Sequence, residues 1–187
     1  MQTGNADFVL KNKTTDIFFF SFLSFSQAVI VTDALFQCPI RNIANALGGM
    51  AKNGTRKVGS PYVYHFDHIL SFGDKFWLPG SPICLDTVCH GDELPLLFHP
   101  NISKIDAKYT KSEQILSKEM QSYWGNFAKT GVPGVASADG LNWPTYISGE
   151  GEMAMKFSTT NETVVDKAYQ AKCQFWDDLG YKWILPH

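Results

Sequence analysis

The chain has 187 residues, enough for one domain or for part of a larger one. Sixteen Lys plus Arg against 18 Asp plus Glu leave a formal net charge of -2. The basic residues are scattered, which excludes a nucleic-acid-binding surface, because phosphate neutralisation needs a local excess of cations. With 44% hydrophobic and 18% charged residues, the composition excludes general disorder and predicts a packed core.

The stretch from Ile17 to Val31 reads IFFFSFLSFSQAVIV behind Lys11 and Lys13, like the core of a signal peptide without a clean small-x-small cleavage site. It is too short and too Ser-rich for a transmembrane span, so no membrane association is expected. Residues 1–27 stand apart as an atypical Phe-rich segment, and residues 28–187 carry the domain.

A first helix is predicted from Thr32 to Leu47, with Ile40, Ile43, Ala44 and Leu47 as its apolar stripe, a kink at Pro39 and a stop at Gly48-Gly49. Tyr62 to Phe66 is an aromatic and β-branched run after Ser60-Pro61 and predicts a buried strand. Residues 69–90, rich in Gly and Pro, predict a loop. Thr110-Lys-Ser-Glu113 is a capping box that opens the clearest helix, with Leu116, Met120, Tyr123 and Phe127 as its stripe and Gly131 and Pro133 as its stop. Met153 to Phe157 predicts a short strand. Val165, Tyr169, Trp176 and Leu179 predict a final helix that stops at Gly180. Helices alternating with a few strands indicate an α/β fold, with too few strands for a complete doubly wound sheet. A chain lacking part of its sheet would leave the Leu116 and Val165 helices uncovered and prone to aggregate.

Four Asn-x-Ser/Thr triplets occur, at Asn12, Asn53, Asn101 and Asn161, where chance gives roughly one. They point to a secreted, glycosylated and disulfide-bonded protein. The four cysteines, Cys38, Cys84, Cys89 and Cys173, allow three pairings. Cys84 to His90 is not a haem attachment site, whose cysteines have two residues between them where these have four. It is not a zinc site either, with only His90 and His99 nearby. A local disulfide closing a small loop fits, with two reduced thiols as the alternative. In His65-Phe-Asp-His68 an extended backbone puts His65 and Asp67 on one face and His68 on the other, so the residues read as structural rather than as metal ligands. No metal is expected. His90, in a loop past a strand and before the flexible Gly91, is placed for general-base work if a nucleophile and an orienting carboxylate join it.

Several motifs occur in order: Thr32-Asp-Ala-Leu-Phe-Gln-Cys38-Pro39, Val63-Tyr-His-Phe-Asp-His68, Cys89-His-Gly-Asp-Glu-Leu-Pro95, Tyr123-Trp-Gly-Asn-Phe-Ala-Lys-Thr-Gly131, Trp143-Pro144 and Cys173-Gln-Phe-Trp176. Together they resemble the C-terminal third of type-B carboxylesterases, the cholinesterase-like branch of the α/β-hydrolase fold, over roughly residues 30 to 180. The resemblance implies the last strands of the central sheet with their packing helices, incomplete on their own. It implies that His90 is the histidine of a serine-esterase triad, supported by Gly91 and by the inward carboxylate of Glu93. It further implies a long-range disulfide between Cys38 and Cys173, leaving Cys84 to pair with Cys89. A small ester as substrate, no cofactor, and homodimers formed through C-terminal helices complete the expectation. The departures are equally specific. No G-x-S-x-G pentapeptide, no upstream acid at the family's distance and no oxyanion glycine motif occur, so this chain alone is not expected to hydrolyse esters. A non-catalytic adhesion or binding protein on the same scaffold, as in neuroligin-like proteins, is the alternative.

Overall fold

The computed structural model describes residues 26–54, 59–73, 83–98, 109–138, 140–146, 151–160, 163–165, 167 and 169–181. Two compact units divide it, one from Met1–Ile43 with Tyr169–His187, the other from Ala44–Ala168. Most of residues 1–27 and three of the four sequon asparagines, Asn12, Asn101 and Asn161, lie outside the described residues.

In the first unit, helical residues 26–32 widen into a π-helical turn, Asp33–Gln37, and then return to α geometry in α1, Cys38–Asn53, whose residues from Ala44 on belong to the second unit. The Cys38 N–H donates to the Asp33 carbonyl, and the next residue, Pro39, has no N–H to donate. The register therefore changes where the helix has no hydrogen bond to lose, and the expected kink becomes a π turn. The predicted stripe is corrected in part: Ala44 is buried as expected, but Ile40 and Ile43 are 49% and 46% exposed, and Ala34, Cys38 and Arg41 complete the buried face. That face is held by covalent and ionic contacts. Cys38 is bonded to Cys173, 135 residues on, and Arg41 Nη1 lies 3.0 Å from Asp177 Oδ2. Lys172 pairs with Asp33 at 3.6 Å. Gly48-Gly49 does not stop the helix, which ends at Asn53 where Gly54 takes φ 62°.

The second unit is built on a three-stranded sheet, β1 (Val63–Phe66), β2 (Ala154–Phe157) and β3 (Thr163–Val165), in that order. Strands β1 and β2 pair in parallel, with Tyr64 opposite Met155 and Phe66 opposite Phe157; β2 and β3 pair antiparallel, with Met155 opposite Val164. Val165, expected in the last helix, thus belongs to a strand. The final helix, α5, is shorter, Gln170–Asp178, and buries Cys173. Between β1 and β2 lie α2 (Ile83–Asp86), α3 (Glu93–Phe98) and α4 (Lys111–Thr130). The one-turn α2 corrects the reading of residues 69–90 as loop throughout; the Cys84–Cys89 bond beside it favours a tight turn.

Helix α4 starts as its sequence dictates. The Thr110 hydroxyl accepts from the Glu113 N–H and the Glu113 carboxylate accepts from the Thr110 N–H, while Gly131 at φ 76° ends the helix in the left-handed region that favours glycine. Leu116, Met120 and Tyr123 are buried against Phe66, Phe72, Leu96, Trp143, Met155 and Phe157, so this face is covered within the chain. Phe127 ends the stripe half exposed, its ring edge-on to Tyr62 at 5.8 Å. Trp143 sits at the centre of the aromatic packing, 5.1 Å from Trp124 and 5.3 Å from Phe157, and its indole N–H donates to the Val63 carbonyl at 3.1 Å.

Candidate active site

The histidine turn is anchored from both ends. On its N-terminal side Cys89 is bonded to the buried Cys84. On its C-terminal side α3 docks on α4, because the carbonyl of Leu96 accepts from Ser117 Oγ at 2.5 Å and from Gln121 Nε2 at 3.2 Å. The Pro95 carbonyl accepts from the Tyr109 hydroxyl at 2.8 Å. Pro95 fits α3 because it stands in the first turn, where the helix has no use for its N–H.

Between these anchors the turn closes on itself. The Asp92 N–H donates to the Cys89 carbonyl at 3.2 Å and the Leu94 N–H to the Gly91 carbonyl at 3.1 Å. Gly91 has φ 92°, which a residue with a Cβ adopts only at a cost, and it is buried. The Asp92 side chain, 1% exposed, turns back and accepts from the Cys89 N–H at 2.5 Å. His90 rides on this frame with its side chain exposed. Glu93, half-buried in the first turn of α3, faces Tyr64, whose hydroxyl donates to Glu93 Oε1 at 3.5 Å. Burial, then the Glu93 charge and this hydrogen bond, push the Tyr64 phenol up to about 12.

The structure therefore brings His90, Gly91 and Glu93 into one short segment and bonds Cys84 to Cys89 beside it. Cys38 and Cys173, both fully buried, make their bond in the other unit. Asn53 is exposed at the end of α1. His68 is a structural histidine, as read from the strand geometry: Nε2 lies 3.0 Å from Glu113 Oε1 and Nδ1 3.1 Å from Thr159 Oγ1. Among the described residues, no group of three or more His, Cys, Asp or Glu side chains gathers as metal ligands, and no helix is long and apolar enough to cross a membrane.

Two acids escaped the sequence reading. Asp92 stands in an aperiodic turn; its only signal was that a short acid in a tight turn tends to bond nearby backbone N–H groups. Glu113 was read only as a cap, yet it also accepts from the Ser71 N–H at 2.8 Å and from Ser71 Oγ at 2.6 Å.

Residues 21–176 match the model of the carboxylesterase family. The chain belongs to that family. Among its carboxylesterase relatives, the acylcarnitine hydrolase of Rattus norvegicus is 30% identical over 82% of this chain and 24% of its own. The crystal protein of Dictyostelium discoideum is 27% identical over 81% and 26%. A thermophilic PNB esterase superposes with a TM-score of 0.58 at 29% identity, over 80% of this chain and 27% of that one. The chain spans about a quarter of the length of the curated relatives it matches. Its α/β architecture is a portion of the α/β-hydrolase fold of these esterases.

Proposed function

We propose that this chain carries the histidine end of a serine carboxylic-ester hydrolase. His90 takes the proton from a nucleophilic serine as the hydroxyl attacks the carbonyl of a small ester, then delivers it to the departing alcohol; water reverses the sequence to release the acid. Gly91 supplies the backbone bend, and the Glu93 carboxylate, tied to β1 through Tyr64, steadies the loop. The observation that carries this reading is an exposed His90 on a turn whose two flanks are fixed, one by a disulfide and one by α3 docked on α4. The serine, the acid and the oxyanion donors would come from outside these 187 residues, which contain no G-x-S-x-G, and the chain by itself leaves esters intact. The disulfides and sequons support a secreted protein glycosylated at Asn53, Asn101 and Asn161. The exposed Phe175 and Leu179 of the C-terminal segment support self-association through that helix.

A fluorophosphonate probe applied to native source material, read on a gel with an antibody to residues 110–130, tests it. A labelled band well above the size of a 187-residue chain is expected, and His90→Gln in that protein slows labelling by about 10⁴-fold or more. An unlabelled band at the size of this chain overturns the esterase reading in favour of a non-catalytic binding protein.

A further inference from the structure

A general base must be held to within a fraction of an ångström of its working position. His90 is exposed, so burial of its side chain does not hold it, and the backbone on either side contributes to its placement. The residue before it is gripped at three points. The sulfur of Cys89 is bonded to the buried Cys84, its N–H donates to Asp92 Oδ2 at 2.5 Å, and its carbonyl accepts from the Asp92 N–H at 3.2 Å. Two of those three grips come from a single carboxylic acid residue that is almost completely buried. A side-chain oxygen returning three residues to a backbone N–H closes the turn around His90, and a charged acceptor strengthens that bond.

We propose that Asp92 is a positioning residue for His90, and that it acts through the backbone of Cys89 jointly with the Cys84–Cys89 disulfide. The two devices act on one residue, and both are needed to hold it, so loss of either loosens the turn at His90. The proposal rests on the reading of His90 as the triad histidine, but the clamp itself is measurable without catalysis.

Backbone ¹⁵N relaxation on the 187-residue chain measures it, with Asp92→Ala, Asp92→Asn and the Cys84→Ser/Cys89→Ser double variant. The His90 amide is expected to fall from an order parameter of about 0.85 to below about 0.6 in Asp92→Ala and in the double variant. Asp92→Asn stays near wild type, because its amide oxygen still accepts from the Cys89 N–H. The His68 amide, held near Glu113, stays unchanged in all of them. A His90 amide as rigid in Asp92→Ala as in wild type overturns the proposal, and so does equal loosening at His68, which would mean general destabilisation.

Should Asp92→Ala fail to fold, a dithiol reagent on the wild-type chain gives the same reading. It passes two electrons to the Cys84–Cys89 bond, leaving two thiols and the oxidised reagent, while Cys38–Cys173, fully buried at both ends, is confirmed intact by mapping the alkylated thiols. An unchanged His90 amide after that reduction overturns the clamp. In a native protein that labels with fluorophosphonate, Asp92→Ala slows labelling by about tenfold or more and Asp92→Asn restores it. Loosening at His90 with no labelled native protein upholds the clamp and removes the esterase reading. Labelling with an Asp92→Ala turn that stays rigid upholds the esterase and removes the clamp.

Discussion

Glu113 is 0% exposed and its two oxygens accept from His68, Ser71 and Thr110. Burial pulls its carboxyl upward, but the hydrogen bonds from His68, Ser71 and Thr110 outweigh burial and hold it at about 2, against an ordinary 4.5. As pH falls the unfolded chain takes up this proton first. The stabilisation is therefore complete above about pH 4.5 and is lost as pH falls through about 2, on the order of 3 kcal/mol in all. Urea unfolding across that range should show the loss in wild type and a flatter profile in Glu113→Gln. At pH 7 the same variant should be less stable by about 2–3 kcal/mol, because one acceptor oxygen becomes a donor facing donors. Tyr64 behaves oppositely. Its raised phenol contributes stability that is present below about pH 10 and lost as pH rises through about 12. Ultraviolet titration of Glu93→Gln should show Tyr64 ionising at lower pH than in wild type, since its carboxylate partner is gone while burial remains.

Helix α4 joins the sheet and the histidine turn, and its substitutions should separate the two roles. Leu116→Ala opens space in the core and should cost about 2–5 kcal/mol, read as a lowered denaturation midpoint. Ser117→Ala removes a donor to the Leu96 carbonyl and should cost about 1 kcal/mol, with faster amide exchange in α3 than in α4. How far the elements could be read in advance follows the range of their contacts. Thr110 to Glu113 was legible because a capping box is closed by residues three apart. The strand at Tyr62 to Phe66 and the one at Met153 to Phe157 were legible from aromatic and alternating side chains. The face of α1 was not, because periodicity in Ile40 and Ile43 cannot reveal that a bond to Cys173 and an ion pair to Asp177 turn Cys38 and Arg41 inward. Val165 likewise fits a helical stripe, and only pairing with Ala154 makes it a strand residue. At the candidate site, His90, Gly91 and Glu93 are singled out by the resemblance of one contiguous motif. Asp92 is not, because its partner is a backbone group that no side-chain pattern encodes.

For the molecule as a whole, the decisive expectation is negative and simple to check. The purified 187-residue chain should show no turnover of a chromogenic short-chain ester above a His90→Gln control, since no serine elbow is present to be activated. A difference between them would show that this segment assembles a nucleophile of its own. The pairing of β1 with β2 has a further consequence, in time rather than in space. Val63 and Ala154 are partners in parallel register yet roughly ninety residues apart in sequence. At ordinary rates of synthesis β1 leaves the ribosome roughly 5–20 s before the strand that pairs with it does. During that interval Tyr62, Tyr64 and Phe66 are without the Phe157 side of their core, and Cys38 waits longer still for Cys173. Cys84 and Cys89, five residues apart, emerge together in the meantime and are the nearest thiols with which Cys38 could mispair. The local bond beside His90 therefore also removes two wrong partners while the long-range one is still pending.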